Sequence, residues 1–171
     1  MVVDCFLFST PDERRDDLQL HREIAGRGMQ ELTIRNEWYF ANLRENVLAN
    51  PDRFLDAVDP DKLSKDDRFC LTWNLENGQS ELIGPDAFTT GYVYAFTDPP
   101  YGLRCDENEK LNHCNETMSR LFGQLDQFTI RKWSTNWSNY FDAGNEWWGA
   151  FLWTLISDDG RGWWVGASTS D

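Results

Sequence analysis

The pattern of apolar and polar residues predicts one short strand followed by two helices in the first third of the chain. The run from Met1 to Thr10 is mostly apolar and suits a strand. Thr10-Pro11-Asp12-Glu13 has the form of a capping box with proline at the first helical position. We expect the helix that it opens to end near Gly26 or Gly28, because glycine commonly terminates helices. A second helix is predicted over 36–49.

The pattern changes from helical to alternating in the middle of the chain. Apolar and polar residues alternate from Arg68 to Leu75, which predicts a strand. Asn77-Gly78 is typical of a hairpin turn, with Glu81–Ile83 as the returning strand. Phe88–Thr97 is rich in β-branched and aromatic residues and is predicted to be a third strand.

The clearest amphipathic helix begins after residue 105. Asp106, with Glu109 three residues later, again has the form of a capping box. Apolar residues then recur at a spacing of three and four from Leu111 to Leu125. Cys114 belongs to this apolar stripe, and we expect it to be a core thiol.

The last third of the chain is predicted to be β-structure. Phe128–Trp133 alternates as a strand does. Glu146–Ser157 is apolar at both odd and even positions, which predicts a central strand covered on both faces. The turn at 158–160 connects it to Arg161–Ser168 in a hairpin.

These elements predict an α+β protein. N-terminal helices pack on a mainly antiparallel, tryptophan-rich β-sheet, with one further amphipathic helix. Regular β-α-β alternation is missing, which disfavours a doubly wound parallel sheet. With 171 residues and no linker or internal repeat, we expect a single domain over 1–171.

Composition adds two features to this picture. Aromatic residues make up 15% of the chain, including nine tryptophans. The formal net charge is −13, which disfavours nucleic acid and anionic membranes as partners and favours basic proteins. The chain starts without a basic n-region and has no apolar stretch long enough to span a bilayer, so we expect a cytoplasmic protein with reduced cysteines.

A short motif follows the predicted third strand. Asp98-Pro99-Pro100-Tyr101 resembles the D/N-P-P-Y/F motif of amino-methyltransferases that act on nucleic acids. The resemblance implies that Tyr101 would stack on a base. The glycine-rich strand-to-helix turn and the α/β alternation of that family are absent from the chain. Tyr101 has the alternative of covering an edge of the core.

The side chains that usually carry chemistry form no recognisable set. The two histidines are His21, in a charged helix where we expect it to be solvated, and His113. Cys105, His113 and Cys114 lack the paired spacing of a zinc site. Motifs for serine hydrolysis and phosphate binding are missing. Catalytic residues therefore stay unknown, and we expect neither a metal nor another cofactor.

The segment from Trp133 to Trp148 interleaves aromatic rings with small polar residues and acids, as recognition surfaces do. The competing interpretation is a long loop that packs onto its own domain. If the segment is a surface, its partner-binding residues are Trp133, Trp137, Tyr140, Asp142, Glu146 and Trp147, with Tyr101 from the proline motif.

Two functions fit these observations. The first is an acidic cytosolic binding protein, in concrete form an immunity protein or inhibitor of a basic toxin or nuclease. The second is a small enzyme, or a carbohydrate or small-molecule binder, with a tryptophan-lined pocket and carboxylates. The charge favours the first, and without a catalytic motif an enzyme is the less favoured interpretation.

Overall fold

The fold is built on a five-stranded antiparallel sheet with strand order β1-β5-β4-β3-β2. It is seen in a computed structural model that describes residues 2–10, 17–49, 70–98 and 105–168. The antiparallel α+β architecture confirms the prediction from the sequence. The strands are β1 (Val2–Ser9), β2 (Ser80–Ile83), β3 (Phe128–Trp133), β4 (Phe151–Ser157) and β5 (Arg161–Ser168).

Helices cover both faces of this sheet. Over the described residues they are α1 (Asp17–Ala49), α2 (Pro85–Thr97), α3 (Glu107–Leu121) and α4 (Asp142–Trp147). The predicted capping box at the start of α3 is confirmed, because the Asp106 carboxylate accepts from the backbone N–H of Glu109 and the Glu109 carboxylate accepts from that of Asp106. None of the described helices combines the length and apolar character needed to cross a bilayer.

The two central strands place large rings on both faces of the sheet. Trp163 and Trp164 are consecutive residues of β5, and their side chains enter different cores because successive residues of a strand point to opposite faces. One core lies between the sheet and α2 with α3, and the other lies between the sheet and α1. The prediction that the segment forming β4 is a central strand is confirmed.

The prediction of two N-terminal helices is wrong over the described residues, since α1 runs without interruption for 33 residues. Gly28 lies in mid-helix, and a Cβ atom there would lie 2.2 Å from Cδ1 of Trp164. The glycine therefore permits a close approach between helix and sheet rather than ending the helix. The capping box predicted at Thr10–Glu13 lies mostly outside the described residues.

The predicted strand Phe88–Thr97 is also wrong, because these residues belong to α2. Pro85 occupies the first turn, where its missing N–H costs nothing. Phe88, Tyr92 and Ala95 are the buried residues of this helix, at helical spacing. Packing against the sheet overrides the preference of β-branched and aromatic residues for strands.

The hairpin predicted around Asn77-Gly78 is not formed. Residues 70–79 are irregular, with a 3₁₀ turn at Leu75–Asn77 and an isolated bridge between Trp73 and Ser138. β2 pairs with β3 instead, in antiparallel register. The turn at Asn74–Gly78 thus redirects the chain without pairing two strands.

The long predicted strand Glu146–Ser157 is shorter than expected. Glu146 and Trp147 end α4, and β4 begins at Phe151. The remainder forms the predicted hairpin with β5 through the turn at 158–160.

Candidate functional site

Two of the aromatic residues predicted to bind a partner, Trp133 and Trp137, lie in the core rather than at the surface. Trp133 and Trp137 are buried at 2% and 4% exposure in the core beneath α1. Their indole N–H groups donate internally, from Trp133 to Thr154 Oγ1 at 2.9 Å and from Trp137 to the Ser134 carbonyl. Because both the rings and their donors are used inside the fold, neither can contact a partner. The packed-loop interpretation of this segment accounts for both tryptophans.

Among the remaining predicted residues, the structure describes the side chains of Asp142, Glu146 and Tyr140. Asp142 and Glu146 are exposed, one turn apart on α4. Tyr140 directs its hydroxyl inward to Asp4. The side chain of Trp147 and the whole of Tyr101 lie outside the described residues. Asp98, the first residue of the proline motif, follows α2 rather than a strand, so the context that the methyltransferase resemblance implies is not found.

The two edges of the sheet differ in how well they are protected. β2 has four residues, carries Glu81 and is followed at once by Gly84-Pro85. β1 has eight residues, with the sequence VVDCFLFS, and contains neither lysine nor proline. Short strands, charges and prolines are the usual means of blocking strand addition at an edge. β1 has only Asp4 as an inward-pointing charge, and within the described ranges no strand lies beyond it, so we call β1 the open edge.

The pairing of β1 with β5 determines which backbone groups of β1 are unpaired. The Thr10 N–H donates to the Gly160 carbonyl at 2.8 Å, in register with the ladder. Since hydrogen-bonded and non-bonded pairs alternate in antiparallel ladders, the even residues of β1 bond to β5. The N–H and C=O groups of Val3, Cys5 and Leu7 therefore point outward. The Ser9 carbonyl also points outward, and it accepts from Arg27 at 3.0 Å.

A groove runs beside this open edge. It has a volume of about 430 Å³, and helices contribute to both of its walls. α1 contributes Arg35 on one side, and α2 and α3 contribute four side chains on the other. The lining residues are Val3, Asp4, Cys5, Arg35, Tyr92, Phe96, Thr117 and Leu121. We call this the β1 groove.

A buried ion pair closes one side of the β1 groove. The Asp4 carboxylate is 4% exposed and lies 2.7 Å from the half-exposed Arg35 guanidinium. The Tyr140 hydroxyl donates to the other oxygen of Asp4 at 2.7 Å. Burial and the adjacent Asp4 raise the pKa of Tyr140 well above its ordinary value. Arg35 also lies over the Phe6 ring at 5.5 Å. These contacts fix the wall and neutralise its charge.

The β1 groove contains no activated nucleophile among its titratable side chains. Burial, with a smaller effect from Asp4, raises the pKa of the Cys5 thiol to about 12. Burial likewise raises the pKa of Tyr92 above its usual range. Both groups are protonated near neutral pH, and a thiol reacts as its thiolate. No tryptophan whose side chain is described lines the groove, so it does not match the tryptophan-lined pocket considered from the sequence.

His21 is the main polar residue that the sequence interpretation misplaced. It is fully buried rather than solvated. Its Nδ1 lies 2.7 Å from Thr154 Oγ1, and its Nε2 lies 3.1 Å from Thr129 Oγ1. Because Thr129 Oγ1 donates to the Ile156 carbonyl, it accepts from an N–H on Nε2, which leaves Nδ1 to accept from Thr154. The signal was present in the sequence, because His21 begins the spacing of buried residues His21, Ile24, Ala25, Gly28, Met29 and Leu32.

The cysteines and His113 do not converge. Cys114 is fully buried, and burial raises its pKa to about 11, in agreement with the predicted core thiol. His113 is exposed on α3. Within the described ranges, no group of three or more His, Cys, Asp or Glu side chains is arranged to hold a metal ion.

In comparisons with known proteins, no family model, no curated protein and no solved structure matches the chain.

Proposed function

We propose that this is an acidic binding protein whose partner is a basic protein. Its concrete form is an immunity protein or inhibitor that acts in the cytoplasm and holds a cationic toxin or nuclease. The partner's positive surface would supply the charge that this chain lacks.

The observation that carries the proposal is the different use of acidic and basic side chains. The chain has 29 Asp and Glu against 16 Lys and Arg. Among the described residues, the acids are exposed except for buried Asp4 and half-buried Glu23. Several cations are already engaged within the fold. Arg27 bonds to Ser9, Arg35 to Asp4, Lys110 to Glu107, Arg131 to Asp17 and Arg161 to Asp159.

This arrangement leaves a surplus of carboxylates at the surface. They are distributed over α1, α2, α3, α4 and the connecting segments. A surface of one sign accelerates the encounter with a partner of opposite sign, and salt weakens that effect. The acids therefore supply attraction and solubility, while a docking site must come from shape.

The test is association of the full chain with a panel of basic nucleases and toxins at low and high salt, measured by calorimetry. Cytochrome c, a cationic protein unrelated to toxins, controls for charge alone. We expect a salt-sensitive complex with a panel member that is at least about tenfold tighter than with cytochrome c, a difference of roughly 1.4 kcal/mol. Equal binding to all cationic proteins, or no binding, would contradict the proposal.

A further inference from the structure

We propose that the β1 groove receives an extended segment of the basic partner, which adds to the sheet as a sixth strand beside β1. This inference rests on the proposed function and specifies where and how the partner docks. The segment is apolar at alternate positions and basic at its two ends.

The first support is the set of unpaired backbone groups along β1. The N–H and C=O groups of Val3, Cys5 and Leu7 point away from β5, as the register with Gly160 and Thr10 requires. Over the described residues no strand lies beyond β1 in the sheet. An added strand would satisfy these groups by main-chain hydrogen bonds, as in other cases of recognition by strand addition.

The second support is the shape of the groove. Arg35 of α1 lines it on one side of the sheet, and Tyr92, Phe96, Thr117 and Leu121 of α2 and α3 line it on the other. A single strand needs about 4.8 Å of width beside its neighbour. A second copy of this chain would bring its own flanking helices to the same edge, where α1, α2 and α3 already lie. The flanking helices therefore favour a lone extended segment over a second copy of this chain.

The third support is the chemistry of the walls. Residues of an added strand that lie opposite Val3, Cys5 and Leu7 point to the same face as these side chains. There they meet Tyr92, Phe96 and Leu121, and Leu7 is 51% exposed and available for contact. Apolar residues suit these positions. The intervening positions face Phe6 and the Asp4–Arg35 pair, whose charges cancel, so uncharged polar residues suit them.

Charge complementarity determines which residues the two ends of the bound segment carry. Exposed Asp98 lies two residues beyond Phe96, which lines the groove. Exposed Asp158 lies in the turn whose Gly160 bonds to Thr10, just after the end of β1. Basic residues at both ends of the segment would meet these carboxylates. Two copies of a chain with net charge −13 repel each other, which is a further reason against self-pairing.

The test uses the full chain and the peptide Lys-Lys-Val-Thr-Val-Thr-Val-Lys-Lys, titrated by calorimetry. One control peptide replaces lysine with glutamate, and another replaces valine with serine. We expect each change to weaken binding about tenfold or more, which corresponds to roughly 1.4 kcal/mol. Equal binding of the valine and serine peptides would overturn the inference, because attraction by charge alone requires no groove.

Matched variants locate the binding. Leu7 on β1 and Leu82 on β2 are both exposed leucines on edge strands, at 51% and 64%. Leu7→Lys is expected to abolish peptide binding, since lysine blocks strand addition, whereas Leu82→Lys is expected to retain it with the same change in net charge. Leu7→Pro and Leu82→Pro repeat the comparison without charge, by removing an N–H that points outward in each case.

The outcomes separate this inference from the proposed function. If a basic protein binds the Leu7 and Leu82 variants equally well, the docking site lies elsewhere and the inference is wrong while the function stands. If no basic protein binds the unmodified chain, the function itself fails. Loss of binding in the Leu7 variants but not in the Leu82 variants supports both the inference and the proposed function.

Discussion

His21 shows how a single buried side chain can couple stability to pH. Burial lowers the pKa of His21 from 6.5 to about 4, opposed by Asp17 and assisted by Arg131. The neutral ring is held by Thr154 and Thr129, with Asp17 Oδ1 3.5 Å from Nε2. In the unfolded chain the imidazole takes up a proton at a higher pH than in the fold. Acid therefore favours unfolding through this residue.

We predict that protonation of His21 in the unfolded chain lowers the free energy of unfolding by about 2 kcal/mol between pH 6.5 and pH 5. One bound proton changes this free energy by about 1.4 kcal/mol per pH unit. Its contribution becomes independent of pH only above about pH 7.5, where the imidazole is neutral in the unfolded chain as well. Urea unfolding followed by tryptophan fluorescence at several pH values measures this slope. His21→Gln should remove it, and His113→Gln, on the exposed face of α3, should keep it. An unchanged slope in His21→Gln would contradict the assignment.

Asp4 and Tyr140 show that a predicted binding residue serves the fold. Tyr140→Phe removes the hydrogen bond to the buried Asp4 carboxylate and should cost about 1–2 kcal/mol. Asp4→Asn removes the negative charge that pairs with Arg35, and we expect a larger loss of stability than for Tyr140→Phe. The exposed Asp142→Asn is the control and should change stability by less than about 0.5 kcal/mol. Equal effects of Asp4→Asn and Asp142→Asn in denaturant titrations would be inconsistent with the buried pair.

At the scale of the elements, each face of the sheet packs on a helix through a glycine over a tryptophan. Gly28 of α1 lies over Trp164 of β5, and a Cβ atom at Gly91 of α2 would lie 2.8 Å from Cζ2 of Trp153 of β4. Removing the Cβ atom lets the helix axis approach a flat ring closely. A glycine packed over a tryptophan thus allows both α1 and α2 to lie close to the sheet, on its opposite faces.

The two glycines of α1 should respond oppositely to alanine. Gly26→Ala places a Cβ 3.6 Å from Leu75 Cδ2, an ordinary contact, and should stabilise the helix by about 0.5–1 kcal/mol. Gly28→Ala forces the Trp164 ring to move and should destabilise the protein by about 1–3 kcal/mol. Thermal unfolding of the two variants under identical conditions measures the difference. Stabilisation by both would show that Trp164 does not pack against Gly28.

Elements with signals in their own residues were predictable from the sequence. α3 carries its capping box, and β5 is an unbroken run of apolar residues and glycine from Gly162 to Ala167. The end of α1 was mispredicted because Gly28 is required by Trp164, which lies far away in the chain. α2 was mispredicted because its packing on the sheet overrides the strand preference of its β-branched and aromatic residues. The groove was not predictable either, since the strand at the edge is set by the pairing of β1 with β5, the last described strand.

At the scale of the whole molecule, the proposed partner would be attracted by one part of the surface and would dock at another. Exposed carboxylates are spread over the helices, while the open edge of β1 lies between helical walls whose own charges are paired. Long-range attraction sets the rate of encounter, and complementary shape with main-chain bonds sets the lifetime of a complex. Salt should therefore slow association more than it speeds dissociation. Surface plasmon resonance with the lysine-valine peptide at two salt concentrations separates the two rates, and a purely dissociative salt effect would contradict this division.

The most direct measurement of the open edge is backbone amide exchange along β1, resolved by residue with NMR. In the free protein we predict slow exchange at Asp4, Phe6 and Phe8, whose amides bond to β5, and fast exchange at Val3, Cys5 and Leu7. Adding the lysine-valine peptide should slow exchange at these three odd residues and leave the even ones unchanged. Protection of Val3, Cys5 and Leu7 before any partner is added would contradict the account, because the edge would already be occupied.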